Sequence, residues 1–338
     1  MTNLMMSLKR GLKSLVEGKM RVRQPAGTRQ MESKLLAFQA RLMSDVNRKK
    51  HSIEDLSEVE FSVFSQWGED GIIDWILSRL PCIPKTFIEF GVENYNESNT
   101  RLLVVNHNWR GLIIDGCGNN IADIKTQDIY WRHDISAVHA FVTTSNIQEI
   151  IVQNGFAGDV GILSIDIDGN DYWVWKAIQC IHPCVVICEY NAVLGDQFPV
   201  TIPYSHDFLR SRAHCSNLYF GASINALCEL GTSKGYVFLG TNSNGVNAFF
   251  IRKDLITRLS GQICTASSYP SHFRESRDQE GNLTHVSGVR RRSVIDHMPI
   301  YSLSNNNVVP LRELGEIYSE NWRRGWSSGV TFLPSRDL

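Results

Sequence analysis

The stretch Ser164-Ile-Asp166-Ile-Asp168-Gly169-Asn170-Asp171 closes an apolar run with two carboxylates two positions apart. On a strand, period-two geometry puts Asp166 and Asp168 on the same side. Carboxylates that close repel unless a proton, a cation or a metal accompanies them. A second apolar run ends in Ile187-Cys188-Glu189-Tyr190-Asn191. Three readings stand side by side. Oxygen ligands from two neighbouring strand ends, Asp168, Glu189 and Asn191, suit Mg²⁺ or another hard divalent ion. Alternatively one carboxylate, Asp168 first and Asp166 or Glu189 next, takes the proton of an acceptor hydroxyl. In the third, Asp168 or Asn170 caps the helix that follows an Asp-Gly turn.

More acids fall at successive strand ends. Glu89 lies two residues before Gly91, Asp115 ends the next apolar run, and Asp134 is read as ending a third. In a doubly wound sheet such positions converge on one crevice, where an acid after the second strand accepts hydrogen bonds from ribose hydroxyls. An acid after the third would meet an adenine amino group, and Gly91 would admit a close backbone approach. Strand-end acids also act as plain turn formers. The segment Gly91-Val-Glu-Asn-Tyr-Asn-Glu-Ser-Asn99 has one glycine, not the Gly-x-Gly-x-x-Gly of a dinucleotide site. NAD and FAD are disfavoured accordingly. S-adenosylmethionine carries no phosphate, and Asn96, Ser98, Asn99 and Thr100 would suit its amino-acid end.

These residues need a scaffold that brings strand ends together. Short apolar runs alternate with helical stripes: strands over 86–91, 111–115, 129–134, 160–168 and 185–190, and helices over 99–109, 119–126, 145–154 and 171–180. Such alternation predicts βαβ units and a parallel sheet with helices on both faces. A helix over 223–234 precedes two runs, 236–240 and 247–252, joined through Asn242-Ser-Asn-Gly245, a strong hairpin signal. The expected fold is α/β, a Rossmann-like sheet of seven strands whose last hairpin is antiparallel. That is the layout of class I S-adenosylmethionine methyltransferases.

Four blocks in order make the likeness specific: Ser65-Gln-Trp-Gly-Glu-Asp70; Phe87-Ile-Glu-Phe-Gly91 followed by Ser98-Asn-Thr100; Trp109-Arg-Gly-Leu-Ile-Ile-Asp115; and Leu163-Ser-Ile-Asp-Ile-Asp-Gly169. Cys188-Glu-Tyr-Asn191 is a fifth. The chain resembles FkbM-type S-adenosylmethionine-dependent methyltransferases over residues 62–192, with Tyr190 where the family commonly has His and Asp115 where it often has Glu. The resemblance implies O-methylation of a sugar or natural-product hydroxyl. It implies Gln66, Glu89, Gly91, Asn99, Asp115 and Asp134 as cofactor contacts, with Asp166, Asp168 and Glu189 facing the acceptor. The loop between residues 192 and 222 is long and aromatic, and its Tyr204, His206 and Tyr219 are expected to stack on and hydrogen-bond a sugar.

The chain has 338 residues and a formal charge of -1, which hides two opposed segments. Residues 1–50 hold 12 Lys/Arg against 3 Asp/Glu; the remaining 288 hold 22 against 32. Met31, Leu35, Phe38, Leu42 and Val46 recur at helical spacing, after Leu4, Leu8, Leu12 and Leu15 among Lys9, Arg10, Lys13 and Lys19. A basic helical extension over 1–50 is expected, either capping the domain or lying on an anionic membrane. A methyltransferase domain over 51–255 and a C-terminal extension or small lobe over 256–338 complete the expected organisation. No apolar run reaches the ~20 residues of a membrane span, and no secretory signal is read. The eight cysteines contain no CxxC pair, so they are expected reduced and mostly buried. The expectation is a cytoplasmic enzyme, peripheral at the membrane if residues 1–50 bind lipid. Its expected acceptor is small or a glycan, not nucleic acid. Two rivals stay open: a nicotinamide-dependent enzyme on the same sheet, and an inactive cofactor-binding module.

Overall fold

Apolar runs bounded by turn residues become strands in the computed structural model, which describes residues 26–328. Thr86–Phe90 (β1), Arg110–Asp115 (β2), Ile135–His139 (β3), Gly158–Ile165 (β4) and Ile181–Glu189 (β5) are parallel. Val200–Thr201 (β6) lies apart from them, and Tyr236–Thr241 (β7) and Asn247–Arg252 (β8) close the main sheet as an antiparallel hairpin. The order is β3-β2-β1-β4-β5-β8-β7, a seven-stranded Rossmann-like sheet of the methyltransferase layout.

Alternation across the strands builds two apolar layers. Phe87, Ile113, Ile162 and Val185 pack with Ile72 and Trp75 on one face. Ile88, Leu112, Leu163 and Val186 pack with Val174 and Trp175 on the other. Each fully buried Phe or Ile contributes about 1.5–3 kcal/mol. Both faces are covered, which is why β1 and β4 read as nearly continuous apolar runs.

The third strand is not where periodicity predicts it. Asp128–Arg132 is a short helix, carrying an Asp128–Arg132 ion pair of 2.8 Å one turn apart. The strand begins at Ile135, with Ile135 and Ala137 buried. Asp134 therefore stands at the start of β3, not its end.

Residues Pro299–Ser302 (β9) and Asn307–Pro310 (β10) pair with β6 in a three-stranded antiparallel sheet. Ile300, Leu311, Ile317, Tyr318 and Trp322 join the apolar cluster under β4 and β5. The cysteines also correct expectation. Cys82, Cys117, Cys215 and Cys264 are exposed, and only Cys184 and Cys188 are fully buried; all eight are free thiols.

The described residues divide into two units, one ending at Arg41 and one beginning at Leu42. The helix Ala26–Arg48 runs through that point. Its predicted apolar stripe is solvent-exposed at Met31, Leu35, Phe38, Leu42 and Val46. The buried positions after Leu42 are polar: Ser44 and Asn47, the latter donating from Nδ2 to the Val59 carbonyl at 2.6 Å. The earlier stripe at Leu4, Leu8, Leu12 and Leu15 lies outside the described residues. No helix among the described residues is long and apolar enough to cross a membrane.

Candidate active site at the sheet switch point

Strand order reverses between β1 and β4, and a cavity of about 740 Å³ opens there, over the C-terminal ends of β1, β2, β4 and β5. That is where open α/β sheets bind ligands, and the volume falls in the range of small-molecule sites.

Gln66 and Trp67 reach the cavity on a loop shaped by buried acids. Asp70 Oδ2 accepts from the backbone amides of Val63, Phe64 and Ser65 at 2.8, 2.6 and 2.8 Å. Burial pushes this carboxyl up to about 6, against the pull of those donors. Glu69 accepts from the side-chain amides of Asn242 and Asn247, tying the loop to the β7–β8 hairpin. Removing the cradle leaves three amides without their acceptor. Asp70→Ala should cost about 2–4 kcal/mol of stability. Urea unfolding would read it as a lower midpoint at unchanged slope.

Of the six residues named for the cofactor, five line the cavity: Gln66, Glu89, Gly91, Asn99 and Asp115. Asp115 is buried at the end of β2. Its Oδ2 accepts from Glu93 N at 2.8 Å, and its Oδ1 from Cys117 N at 2.7 Å and Asn120 Nδ2 at 3.0 Å. A carboxylate offers about four acceptor sites, so it retains capacity for a ligand hydroxyl. Glu89 does something else. Its oxygens accept from Ser98 Oγ at 2.8 Å, from Asn99 N at 2.9 Å and from the Thr100 hydroxyl, so it braces the 98–100 loop from below. Asn99 Nδ2 donates to Ser164 Oγ at 3.1 Å, stitching that loop to β4. Asp134 is the exception. At the opposite end of its strand, mostly exposed and 3.7 Å from Arg110, it cannot reach the cavity. The third-strand wall is Ala140-Phe141-Val142 instead.

The carboxylates of Asp166, Asp168 and Glu189 do come together, with oxygens within 4.8 Å of one another. Asp166 is half-buried and Glu189 buried. Desolvation, and then the charges around them, push both well above the usual carboxylate range. Asp168 adopts φ +54 and is ion-paired with Arg210. Arg210 also lies over the Phe220 ring, 3.9 Å from its centroid, and donates from Nε to the Asn217 carbonyl at 2.6 Å. Asn170 stands at the N-cap of the helix Asp171–Ala177, its carbonyl accepting from Val174 N at 2.9 Å, but it makes no side-chain capping bond. Asp171 turns back instead, accepting from Ile167 N at 2.8 Å and Gly169 N at 2.9 Å, and so fixes the loop that carries Asp166 and Asp168.

Asn191 lines the cavity, but its amide is committed to the chain around it. Oδ1 accepts from Val193 N at 2.9 Å, and Nδ2 donates to the Leu218 and Phe220 carbonyls, also at 2.9 Å. It fastens the loop after β5 and is a poor metal ligand in this setting. Tyr190 likewise gives its hydroxyl to the Tyr269 carbonyl. Tyr204, His206 and Tyr219 do not line the cavity. Tyr204 packs edge-on against Trp173, His206 is exposed, and the Tyr219 hydroxyl donates to the Pro299 carbonyl at 2.5 Å. Their neighbours Phe208, Arg210 and Phe220 take the positions expected of them. Phe273 and Arg291 arrive from the C-terminal segment, Arg291 holding the Ser271 and Phe273 carbonyls at 2.5 and 2.9 Å.

Two electrical features define the cavity. Eight carboxylate residues line it against two arginines, and Arg210 is itself paired. Three of its buried oxygens, Glu189 Oε2, Asn170 Oδ1 and Asn247 Oδ1, have no hydrogen-bond partner within the protein. Buried acceptors without donors are rare in folded chains, and in a cleft they are places where a ligand donor fits.

No family model matches the chain, and no curated protein matches it. The resemblance of the four blocks to FkbM-type enzymes therefore rests on those residues alone. Among solved structures it is similar to the N-terminal domain of EvdMO1 with SAH bound, at 9% identity over 56% of this chain and 81% of that one, TM-score 0.37. It is also similar to an O-methyltransferase from Bacillus cereus in complex with SAH, at 10% identity over 71% and 96%, TM-score 0.35. A third is TehB from Haemophilus influenzae, at 14% identity over 53% and 61%, TM-score 0.33. Likeness this slight carries no argument about chemistry. The fold assignment rests on the strand order itself.

Proposed function

We propose that this chain is an S-adenosylmethionine-dependent O-methyltransferase acting on a hydroxyl of a carbohydrate or natural-product precursor. The observation that carries the reading is the acid-lined cavity at the switch point. Its carboxylates complement a cationic sulfonium and repel a pyrophosphate, which also disfavours the nicotinamide alternative. Asp115 would hold the ribose hydroxyls, Phe141 would lie against the adenine, and Gln66 and Asn99 would meet the amino-acid end.

When bound, the cofactor supplies an electrophilic methyl group. The acceptor oxygen bonds to the methyl carbon as the carbon–sulfur bond breaks, leaving S-adenosylhomocysteine and a methyl ether. The hydroxyl proton must go to a base. Asp166 with Glu189 is better placed for this than Asp168, which Arg210 already holds. Such positioned proton transfer is worth about 10²–10⁴ in rate. The orphan oxygens of Glu189, Asn170 and Asn247 would accept from further hydroxyls of the acceptor, with Phe208 and Phe273 beside its apolar faces.

The trio Asp166, Asp168 and Glu189 also fits a hard divalent ion by donor type and spacing, with Glu189 Oε2 unpartnered. Such an ion would lower the acceptor hydroxyl's hold on its proton. Calorimetry with S-adenosylhomocysteine, with and without Mg²⁺, and with NADH, tests the reading. Saturable binding of S-adenosylhomocysteine and none of NADH is expected. NADH binding alone would overturn it, and cofactor binding without transfer to any hydroxyl acceptor would leave only a binding module.

A further inference from the structure

The helix Ala26–Arg48 leaves five large apolar side chains on the outside, while Leu36 and Met43 are half-buried. Met31, Leu35, Phe38, Leu42 and Val46 are between 51% and 61% exposed, and together they form one stripe along successive turns. The side of the helix opposite this stripe is anchored by small and polar groups. Ser44 and Asn47 are buried there, and Asn47 is bonded to the Val59 carbonyl. Scattered exposed leucines are ordinary in soluble chains, but a continuous stripe of five marks an interaction face. Charge identifies what covers it. Lys34 and Arg41 are exposed along one flank, with Asp45 one turn beyond Arg41. By sequence the helix holds Arg29, Lys34, Arg41 and Arg48 against Glu32 and Asp45, inside a segment 1–50 with a surplus of nine positive charges while the rest of the chain is negative. Two copies meeting along this stripe would bring two such surpluses together, whereas an anionic lipid surface complements both the stripe and its flank.

We propose that the helix Ala26–Arg48 docks in the plane of an anionic membrane surface, with Met31, Leu35, Phe38, Leu42 and Val46 entering the headgroup–acyl boundary. The helix is too polar to span the bilayer, so it lies along it. This inference stands apart from the proposed chemistry and survives its failure, because no residue of the stripe lines the cavity.

Flotation of the full chain with phosphatidylcholine vesicles, with and without phosphatidylserine, is the test. The wild type is expected to float with the phosphatidylserine vesicles, to be released by raised salt, and to ignore the neutral ones. The triple variant Leu35→Glu/Phe38→Glu/Leu42→Glu is expected to lose at least about tenfold in partitioning. Its melting temperature should stay unchanged, because the three side chains are already in water. Equal flotation of the triple variant would mean that basic charge alone binds lipid, and would overturn the proposal. So would a wild type that fails to float but dimerises through this stripe, shown by light scattering that returns to monomer in the triple variant.

Discussion

Gly91→Ala is expected to collapse both stability and cofactor binding. A Cβ built on Gly91 falls 1.5 Å from the Asp166 carbonyl oxygen, and the residue sits at φ +71. The obstacle is backbone, so no side-chain rotation relieves it. The ends of β1 and β4 must part, and those are the two strands whose divergence forms the cavity. By its place after a strand, this glycine suits a close approach by the cofactor. The structure assigns it first to the approach of two strands, on which the cavity then depends. A loss of at least about 3 kcal/mol is expected from clash and backbone strain together. Binding of S-adenosylhomocysteine should weaken by at least about tenfold, since about 1.4 kcal/mol of displaced geometry suffices for that. Gly281→Ala is the control. It has a comparable φ of +84 with nothing within 4 Å of the added carbon, so only local strain of about 1–3 kcal/mol applies there. If thermal unfolding and calorimetry put the two variants level, the contact between β1 and β4 is not what the cavity rests on.

What was legible in the chain, and what was not, divides by range. Acids that close long apolar runs, Asp115 and Glu189, lie where period-two reasoning puts them, because a buried strand leaves little freedom in where it ends. Asp166 and Asp168 do not: β4 ends at Ile165 and Asp168 turns at φ +54, so a loop and not strand alternation brings these two together. Ile129-Tyr-Trp131 mimics a strand, which would put Asp134 at its end. The local Asp128–Arg132 pair and the burial of Ile135 and Ala137 decide otherwise. Glu89 shows a different limit. Its position could be read, but not that the hydroxyls and amides of Ser98, Asn99 and Thr100 would fold back onto it. Arg210, Phe273 and Arg291 come from segments without periodicity and reach the cavity only through long-range packing. A hint did exist in Arg210, a cation set between the aromatics Phe208 and Tyr219 in the loop already singled out. The helix Ala26–Arg48 makes the same point from the other side. Spacing established the stripe, but spacing is indifferent to whether a stripe faces a core or water.

Asp166→Asn is expected to lower methyl transfer by about 10²–10⁴-fold on whichever hydroxyl acceptor the wild type uses, with binding of S-adenosylhomocysteine kept. The argument is electrostatic. Asp166 and Glu189 share a poorly solvated corner with Asp168 and Asp171 nearby, so each carboxyl holds its proton to higher pH than it would in water. Raised in the folded chain, the pair stabilises the fold below the ordinary carboxylate range and loses that contribution as pH climbs through the raised values. As a base it works in the opposite direction, becoming competent only once ionised. Transfer should therefore rise with pH along a limb lying above the usual carboxylate range. Glu189→Gln removes a neighbouring negative charge, so it should move that limb to lower pH, while Asp166→Asn should remove the limb along with the activity. A merely structural role for Asp166 would lower the rate without touching the pH profile. Rates of labelled-methyl incorporation across pH, measured for the three proteins together with their S-adenosylhomocysteine affinities, separate the two. A profile in Asp166→Asn that keeps the wild-type limb would take the proton-accepting role away from this residue and give it to Glu189, whose carboxyl is raised by the same burial.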